Sequence, residues 1–311
     1  MLDNDGIMGH QSMKNAAPIF RIPELSDADA VRRCTLSALQ SDLSFTNLYL
    51  LREKYHTEIM FHVEHLLRYF GGETRLKGYA FPAGKGDTDA INSCLHVIET
   101  DAERRETELR FCLLTEEEVA KLKTRYGNKM TVSCDEGDSD YIYNTAALAN
   151  LPGTLYHKKR NHIRKFERMY GKCIYMELTA ENSDKALGIA AAWKENMDNS
   201  PAPEHEFAAI KKALSMPELL QLRGGILLLN NRPIAMCVAS VINENMTDIH
   251  YEKCIPEFRD AYPIINREFA LRTHTPLINR EEDLNIEGLR RAKLSYYPSL
   301  ILKKFNAHIT C

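Results

Sequence analysis

Apolar and polar positions in the first half of the chain repeat with the periods of strands and helices. Residues 56–70 (HTEIMFHVEHLLRYF) alternate apolar and polar side chains, which predicts a strand. Residues 81–105 begin with a glycine-containing turn and predict an amphipathic helix from about Asp87. In TELRFCLLTEEEVAKLKTRYG, Thr115 and Glu118 form a capping box between a strand and a helix. This half is therefore a mixed unit of strands and helices.

An acidic, glycine-containing stretch (SCDEGDSDYIYN, 133–144) separates this unit from a second one. Residues 224–254 contain three strand-like runs broken by NNRP and NEN, which predicts an antiparallel meander. A helix from about Pro263, the strand PLINR, the helix EGLRRAKL and a last strand SLILKKF follow. We therefore predict a disordered N-terminus at 1–17, a first domain at 18–135 and a second domain at 136–311.

Composition and charge narrow the class of protein. The 311 residues are 44% hydrophobic with a net charge of -3, so the chain can bury a sizeable core and is not a strongly basic nucleic-acid binder. Neither a signal peptide nor an apolar run of membrane-spanning length is recognisable, so we expect a cytoplasmic protein without integral membrane association.

The cysteines and histidines do not suggest a metal site. The eight cysteines are scattered without a CxxC pair, so we interpret them as small buried residues in a reducing compartment. His62 and His65 are three residues apart in a predicted strand, which would place them on opposite faces. We therefore predict no metal ligands.

The segment 157–172 is a basic helix with seven lysines and arginines against the single acid Glu167. One interpretation is a solvated helix face, as most charge runs are. The other is a surface for a phosphate-rich partner such as the acceptor arm of a tRNA, because phosphates attract Lys and Arg without base recognition.

The segment 248–269 combines a strand, a loop and a helix N-terminus. Strand alternation would place His250 and Glu252 on one face. The free N–H groups of a helix that starts near Pro263 would favour an anion at the loop. The alternative is an ordinary connection between a strand and a helix.

The segment 278–298 (INREEDLNIEGLRRAKLSYYP) places charged residues at the end of a predicted strand, where open sheets gather ligands. Glu281 and Asp283 could bind an ammonium group or accept a proton. Arg280 and Lys293 could offset their charge or hold a carboxylate or phosphate. Surface decoration is the alternative, and it suits Glu287, Arg290 and Arg291 as exposed helix pairs.

Three stretches in order, 151–167, 249–269 and 278–298, resemble the bacterial proteins similar to the C-terminal catalytic domain of phosphatidylglycerol lysyltransferase. The resemblance extends over about residues 20–306. It implies an α+β fold of two tandem GNAT-like acyltransferase domains, each a mixed, mostly antiparallel sheet flanked by helices.

The resemblance also implies transfer of an acyl or aminoacyl group to an amine or hydroxyl of a small-molecule or peptide acceptor. In GNAT enzymes a glycine-rich loop holds acetyl-coenzyme A, whereas EFRDAYPII (257–265) has no glycine. An aminoacyl-tRNA donor needs no such loop and suits the basic helix. Two alternatives stay open: a coenzyme A-dependent N-acetyltransferase, and a non-catalytic RNA- or ligand-binding module on a GNAT scaffold.

Site roles follow from the resemblance and the motifs together. We expect Glu252 or Glu281 to be the general base. The residues expected to bind the donor are Lys158, Lys159, Arg160, Arg259, Tyr262 and Asn266. The residues expected to bind the acceptor are His250, Asn279, Arg280, Asp283, Lys293 and Tyr296.

Overall fold

The computed structural model describes residues 19–72, 74–197 and 201–310. The predicted disorder at 1–17 lies outside these residues. The helices of the described residues are Ala28–Cys34 (α1), Phe45–Leu50 (α2), Thr88–Arg104 (α3), Glu116–Tyr126 (α4), Thr145–Asn150 (α5), His157–Tyr170 (α6), Ser183–Glu195 (α7), Pro201–Leu214 (α8), Tyr262–Ala270 (α9) and Glu287–Leu294 (α10). Short 3-10 helices are Leu25–Asp27, Ser41–Leu43, Gly127–Lys129, Glu136–Asp138, Ala180–Asn182 and Pro256–Ala261.

The strands of the described residues form two sheets. Their bounds are Thr57–His62 (β1), His65–Phe70 (β2), Gly78–Tyr79 (β3), Ala83–Gly84 (β4), Leu109–Leu114 (β5), Met130–Cys134 (β6), Asp140–Asn144 (β7), Ile174–Glu177 (β8), Arg223–Leu229 (β9), Arg232–Asn243 (β10), Met246–Cys254 (β11), Leu277–Asn279 (β12), Leu300–Leu302 (β13) and Phe305–Ile309 (β14). The predicted α+β fold with two mixed, mostly antiparallel sheets flanked by helices is confirmed.

The first sheet has the order β1-β2-β3-β5-β14-β6, with β4 paired to β2. Its one described parallel pair is β3 with β5. Helix α3 begins after its N-cap Asp87 and buries Leu95 and Ile98 in the core of this sheet. Helix α4 begins with the predicted capping box of Thr115 and Glu118.

The predicted single strand at 56–70 is wrong, because the chain forms a hairpin of β1 and β2. Val63 and Glu64 both have positive φ angles, 45° and 57°, as the two central residues of a type I′ turn require. The predicted opposite faces of His62 and His65 are wrong for the same reason, since these two residues pair directly across the hairpin. His62 Nε2 lies 2.8 Å from Ser93 Oγ, and His65 Nδ1 lies 2.6 Å from the Val63 carbonyl oxygen.

The second sheet has the order β13-β7-β12-β11-β10-β9-β8. Strands β9, β10 and β11 form the predicted antiparallel meander, whereas β12 runs parallel to β11. Apolar side chains of α6 and α9, among them Phe166 and Ile265, pack in the core of this sheet. Phe45 and Leu48 of α2 enter the same core, so the N-terminal half packs directly against the second sheet.

The last predicted strand, SLILKKF, is two strands in two different sheets. β13 pairs with β7 in the second sheet, whereas β14 lies between β5 and β6 in the first. The chain changes sheets at Lys304, whose buried Nζ lies 2.8 Å from Asp140 Oδ1 and 3.0 Å from Asp42 Oδ1. Arg68 pairs with the other oxygen of Asp42 at 2.8 Å. This buried network ties the last strand and β7 to the first half.

Two further expectations can be compared with the described residues. Cys94, Cys112, Cys237 and Cys254 are buried as predicted, whereas Cys134 is exposed. Among the residues that the structure describes, no helix is long and apolar enough to cross a membrane.

Candidate functional site

The candidate site lies where β11 and β12 separate. These strands pair for only three residues, Met246–Asp248 with Leu277–Asn279. β11 then continues to Cys254, while the chain beyond β12 turns away. Glu252 on β11 and Arg280 after β12 therefore face each other across a gap in the sheet, and they form an ion pair.

On one side of this gap lies a group that we call the arginine cluster: Glu252, Asn266, Arg280, Tyr143 and Tyr296. Arg280 Nη2 donates to Glu252 Oε2, and Asn266 Nδ2 donates to Glu252 Oε1 at 3.1 Å. The guanidinium carbon of Arg280 lies 4.9 Å from the ring centre of Tyr296 and 5.7 Å from that of Tyr143. Burial alone would lower the pKa of Arg280, but the charge of Glu252, the two tyrosines and the hydrogen bond to Glu252 together outweigh it, and the pKa is raised.

Three polar atoms of the arginine cluster are buried without a hydrogen-bond partner among the residues that the structure describes. They are Nε and Nη1 of Arg280 and Oδ1 of Asn266. Buried polar groups are nearly always paired in folded proteins. These two donor atoms and one acceptor atom are therefore available to a bound polar group.

Helix α6 connects the arginine cluster with the surface. Lys159 Nζ lies 3.6 Å from the ring centre of Tyr296 and donates to Ser295 Oγ at 2.7 Å. Burial, together with the charge of Arg280, lowers the pKa of Lys159 to about 8. The exposed cations of the same helix are Lys158, Arg164, Lys165 and Arg168. Arg160 instead donates to the carbonyls of Leu151 and Gly153 and fixes the chain before the helix.

On the other side of the gap lies a group that we call the acid cluster: Asp248, His250 and Glu281. His250 Nδ1 lies 3.1 Å from Glu281 Oε1 and 3.4 Å from Asp248 Oδ2. His250 Nε2 lies 2.8 Å from Ser240 Oγ. Asn47 of α2 donates to Glu281 at 2.8 Å and to Asp248 at 3.2 Å.

The electrostatics of the acid cluster favour a bound positive charge. Burial raises the pKa of Asp248 well above its ordinary value, and the charges of Glu281 and Asp140 raise it further. One ligand atom from each of Asp248, His250 and Glu281 lies within 4.8 Å of the others. Within the described residues, these three side chains are the group that could hold a metal ion, although the sequence motifs suggested none.

The predicted common face of His250 and Glu252 is wrong because β11 contains a bulge. Val238 pairs with Tyr251 and Ala239 pairs with Ile249, so His250 is skipped in the ladder. One extra residue reverses the alternation of side chains beyond it. His250 therefore reaches the acid cluster, while Glu252 reaches Asn266 of α9 in the arginine cluster.

Two predicted acceptor residues hold the backbone after β12. Lys293 Nζ donates to the carbonyls of Arg280, Glu281 and Glu282 at 2.6, 2.9 and 2.6 Å. Burial lowers its pKa to about 8. Asn279 accepts the N–H of Glu281 at 2.7 Å and donates to Asp140 at 3.0 Å. Glu281 keeps a left-handed φ of 57°, a costly conformation that these contacts maintain.

Asp283 is also part of this support. It is fully buried and accepts hydrogen bonds from Tyr141 Oη at 2.6 Å and Arg290 Nε at 2.7 Å. The predicted surface pairing of Arg290 is therefore wrong, because its partner Asp283 lies seven residues earlier in the loop. Arg291 and Glu287 do form the predicted exposed pair at 3.7 Å.

The segment before α9 is a 3-10 helix, Pro256–Ala261. Its Phe258 packs edge-to-face on Phe166 and Tyr170 of α6, with ring centres 6.1 and 5.2 Å apart. Arg259 of this segment is exposed. Tyr262 is half-buried at the start of α9, where burial raises its pKa, and Pro263 follows in the first turn as predicted.

Sequence motifs did not identify several residues of the site. Asn47 and Tyr143 come from segments far from the three motifs, and only the tertiary fold brings them there. Asp248 and Ser240 lie on neighbouring strands of the meander. The strand alternation of side chains that identified His250 also includes Asp248, two residues earlier. It is the one sequence pattern that could have revealed Asp248 as a site residue.

The two mixed, mostly antiparallel sheets flanked by helices define an α+β fold, in which β11 and β12 separate next to α9. Residues 33–308 match the family described as phosphatidylglycerol lysyltransferase, C-terminal, and the chain belongs to this family.

Solved structures and one sequence relative are also similar to this chain. A conserved protein of unknown function from Bacteroides thetaiotaomicron is 33% identical, with a TM-score of 0.88 over 94% of this chain and 99% of that chain. The C-terminal domain of a putative lysylphosphatidylglycerol synthetase from Agrobacterium fabrum shares the fold at 11% identity, with a TM-score of 0.64 over 91% of each chain. An uncharacterized protein of Mycoplasmoides gallisepticum is 24% identical over 202 residues, and the chain spans only 64% of its length.

Proposed function

We propose that this protein transfers an aminoacyl group from aminoacyl-tRNA to an amine or hydroxyl of a small-molecule or peptide acceptor. The main support is the line of contacts from Lys159 through Tyr296 and Arg280 to Glu252. It connects the exposed basic face of α6 with the gap between β11 and β12. A tRNA that lies on the helix would have its aminoacylated end near Glu252.

The basic face of α6 suits a nucleic-acid backbone. Its exposed cations extend from residue 158 to residue 168, and ten residues of helix span about 15 Å. That length covers more than one phosphate of an RNA strand. Contacts of this kind position a tRNA without recognising its bases, as a transferase that reads only the acceptor end requires.

The arginine cluster offers the groups for acyl transfer. The nucleophile of the acceptor attacks the ester carbonyl, and a bond to the acyl carbon forms. Glu252 accepts the proton of the nucleophile, since its two paired oxygens keep unused lone pairs. The bond between the acyl carbon and the ribose oxygen then breaks, and Glu252 gives the proton it took up to that oxygen, so the tRNA leaves with a free hydroxyl and the carboxylate is restored. Glu281 is the other candidate base.

The loop before α9 favours an RNA donor over coenzyme A. Close approach of a pyrophosphate to the backbone usually needs glycine. Here the segment is a 3-10 helix without glycine, and its Phe258 is held by aromatic side chains of α6. A coenzyme A-dependent N-acetyltransferase and a non-catalytic module are the alternative functions, and the test distinguishes both from aminoacyl transfer.

The test measures transfer from radiolabelled aminoacyl-tRNA to hydroxylamine, amines and peptides, with acetyl-coenzyme A as the competing donor. Transfer above the uncatalysed rate from aminoacyl-tRNA alone supports the proposal. Transfer from acetyl-coenzyme A alone identifies an N-acetyltransferase. Salt-dependent tRNA binding without transfer from either donor identifies a non-catalytic module.

A further inference from the structure

The acid cluster is formed where β11 and β12 cease to pair. Asp248 is the last residue of β11 that pairs with β12, His250 lies at the bulge beyond it, and Glu281 lies in the loop after β12. The side chains of Asp248 and His250 are 0% and 1% exposed, whereas that of Glu281 is 23% exposed. The cluster is therefore buried, and solvent reaches it at Glu281.

The two carboxylates of the acid cluster lack a cation of their own. In the part of the chain that the structure describes, no lysine or arginine nitrogen lies within 4.0 Å of Asp248 or Glu281, and both contact only the imidazole of His250 among basic side chains. Two neighbouring acids differ, since Glu252 is paired with Arg280 and Asp283 with Arg290. Carboxylates brought together away from water repel each other unless a cation lies between them. The acid cluster therefore favours an added positive charge.

One oxygen of this cluster also lacks a hydrogen-bond partner among the described residues. Asp248 Oδ1 is buried and unpaired, whereas Oδ2 of the same carboxylate accepts from Asn47 and faces His250 Nδ1 at 3.4 Å. Buried polar atoms are nearly always paired in folded proteins. An unpaired carboxylate oxygen beside two further ligand atoms is the feature expected where an ion binds.

The spacing of the ligand atoms fits a small metal ion better than an ammonium group. His250 Nδ1 lies 3.1 Å from Glu281 Oε1 and 3.4 Å from Asp248 Oδ2. Two ligands at about 2.0–2.1 Å from Zn²⁺, with angles near 90–110°, are roughly 2.9–3.4 Å apart. An ammonium nitrogen that donates to two acceptors at about 2.8 Å with tetrahedral angles holds them roughly 4.6 Å apart. The ligand atoms are therefore too close together for an ammonium group.

The surroundings of the three side chains orient them as ligands. Ser240 Oγ lies 2.8 Å from His250 Nε2, so a proton on Nε2 can be donated to Ser240 while Nδ1 binds an ion. Asn47 Nδ2 donates to Glu281 Oε1 at 2.8 Å and to Asp248 Oδ2 at 3.2 Å, and each of these oxygens keeps a second lone pair. Where Nδ1 instead donates its proton to Glu281, an ion that binds displaces this proton.

The chemistry of the ligand atoms selects the kind of ion. One imidazole with two carboxylates suits a first-row divalent metal such as Zn²⁺, whereas Ca²⁺ and Mg²⁺ prefer sets of oxygen ligands alone. We propose that Asp248, His250 and Glu281 bind one divalent transition-metal ion, with Zn²⁺ preferred, which joins β11 to the loop after β12. Three protein ligands leave a further position for water or a ligand oxygen. This inference goes beyond the proposed function and does not depend on it.

The test measures metal binding to the full chain after treatment with a chelator. Isothermal titration with ZnCl₂ at neutral pH should show one ion per chain with a dissociation constant in the micromolar range or tighter. MgCl₂ and CaCl₂ should bind on the order of 100-fold more weakly. The visible spectrum of the Co²⁺-loaded protein should lack a thiolate charge-transfer band, which excludes binding at the exposed Cys134.

Conservative variants identify the ligands. His250→Gln, Asp248→Asn and Glu281→Gln should each weaken Zn²⁺ binding by more than the roughly 10–100-fold that loss of an outer contact costs. His308→Gln and Glu108→Gln change another His–Glu pair, 3.6 Å apart on the first sheet, and should leave the affinity unchanged. Glu281→Gln changes a partly exposed side chain, so thermal unfolding should show a folded variant whose melting temperature no longer rises with ZnCl₂.

The contrary results are distinct. Zn²⁺ binding no tighter than that of Mg²⁺, or wild-type affinity in all three ligand variants, overturns the inference. Loss of binding in His308→Gln instead places the ion elsewhere and also overturns it. Because binding is measured without transfer, these results leave the proposed function intact. An ion bound as predicted in a protein that transfers nothing from aminoacyl-tRNA supports the metal site while the proposed function fails.

Discussion

Arg280 and Glu252 form an ion pair across the gap between β11 and β12, although they lie 28 residues apart in the sequence. The backbone pairing of the two strands ends at Asp248 and Asn279. The ion pair of Arg280 and Glu252 therefore joins the strands beyond the end of their backbone hydrogen bonds. Asn266 holds the other oxygen of Glu252, and Lys293 fixes the carbonyls of residues 280–282. The gap is therefore lined by a defined set of polar groups.

The first prediction concerns the general base. Glu252→Gln keeps the size of the side chain but removes its ability to take a proton. We expect kcat for aminoacyl transfer to fall by on the order of 100-fold or more, with unchanged tRNA affinity. Glu257→Gln, an exposed neighbour paired with Arg232, is the control. If Glu281→Gln abolishes transfer and Glu252→Gln does not, the base is Glu281.

The second prediction concerns the basic face of α6. Arg164→Ser with Lys165→Ser removes two exposed cations, whereas Lys121→Ser with Lys123→Ser makes the same change in net charge on α4. We expect the α6 variant to weaken tRNA binding and to lower the slope of log affinity against log salt by roughly 1 to 2. The α4 variant should match the wild type in a salt titration. Equal effects of both variants would show a non-specific contribution of charge.

The third prediction concerns the buried network at Lys304. Lys304→Met leaves Asp140 and Asp42 without their shared cation, and breaking a buried ion pair costs about 3–5 kcal/mol. The neighbouring Lys303 is exposed, so Lys303→Met should change the free energy of unfolding by less than about 0.5 kcal/mol. Denaturant titrations of both variants measure this difference. Similar values for the two would contradict the role of the network.

The fourth prediction concerns the pH dependence at Asp283. Burial would raise its pKa, but hydrogen bonds from Arg290 and Tyr141 outweigh burial and keep the pKa below its ordinary value. A carboxylate with a lowered folded-state pKa stabilises the protein above its unfolded pKa of about 3.9 and loses this effect as pH falls through the folded value. Asp283→Asn should therefore cost about 2–4 kcal/mol at neutral pH and much less in acid. Glu287→Gln, in an exposed pair, is the control, and a cost that does not change with pH would contradict this account.

The fifth prediction concerns the half-buried Lys159 and the buried Lys293. Burial lowers the pKa of both Lys159 and Lys293 to about 8. An ordinary lysine titrates near 10.4, so two lysine signals should move near pH 8 in an NMR titration of the side-chain carbons. One of these signals should disappear in Lys159→Met and the other in Lys293→Met. If all lysines titrate above pH 10, the described burial is wrong.

Local structure was predictable from the sequence where one strong signal decided it. The capping box of Thr115 and Glu118 starts α4, and Pro263 marks the first turn of α9. The hairpin of β1 and β2 was missed because its turn residues, Val63 and Glu64, are not the usual Asn-Gly or Asp-Gly. The alternation of apolar and polar residues continues through the turn, so the sequence has the pattern of one long strand.

The tertiary organisation was not predictable in the same way. β14 inserts into the first sheet and pairs with β5 and β6. No local sequence pattern predicts this pairing. Asn47 reaches Glu281 from 234 residues away in the sequence. The bulge at His250 reverses an alternation that appeared regular, and so His250 and Glu252 separate into two clusters. The motifs located the gap between the strands, but only the structure shows which side chains meet there.

We propose that the aminoacylated end of a tRNA on α6 reaches the arginine cluster. A tRNA with a photoreactive aminoacyl group on its 3′ end tests this claim without knowledge of the acceptor. We expect crosslinks to peptides that contain Tyr143 or Tyr296, and their loss in the variant that lacks Arg164 and Lys165. Crosslinks confined to the first sheet, or unchanged crosslinking in that variant, would contradict the claim.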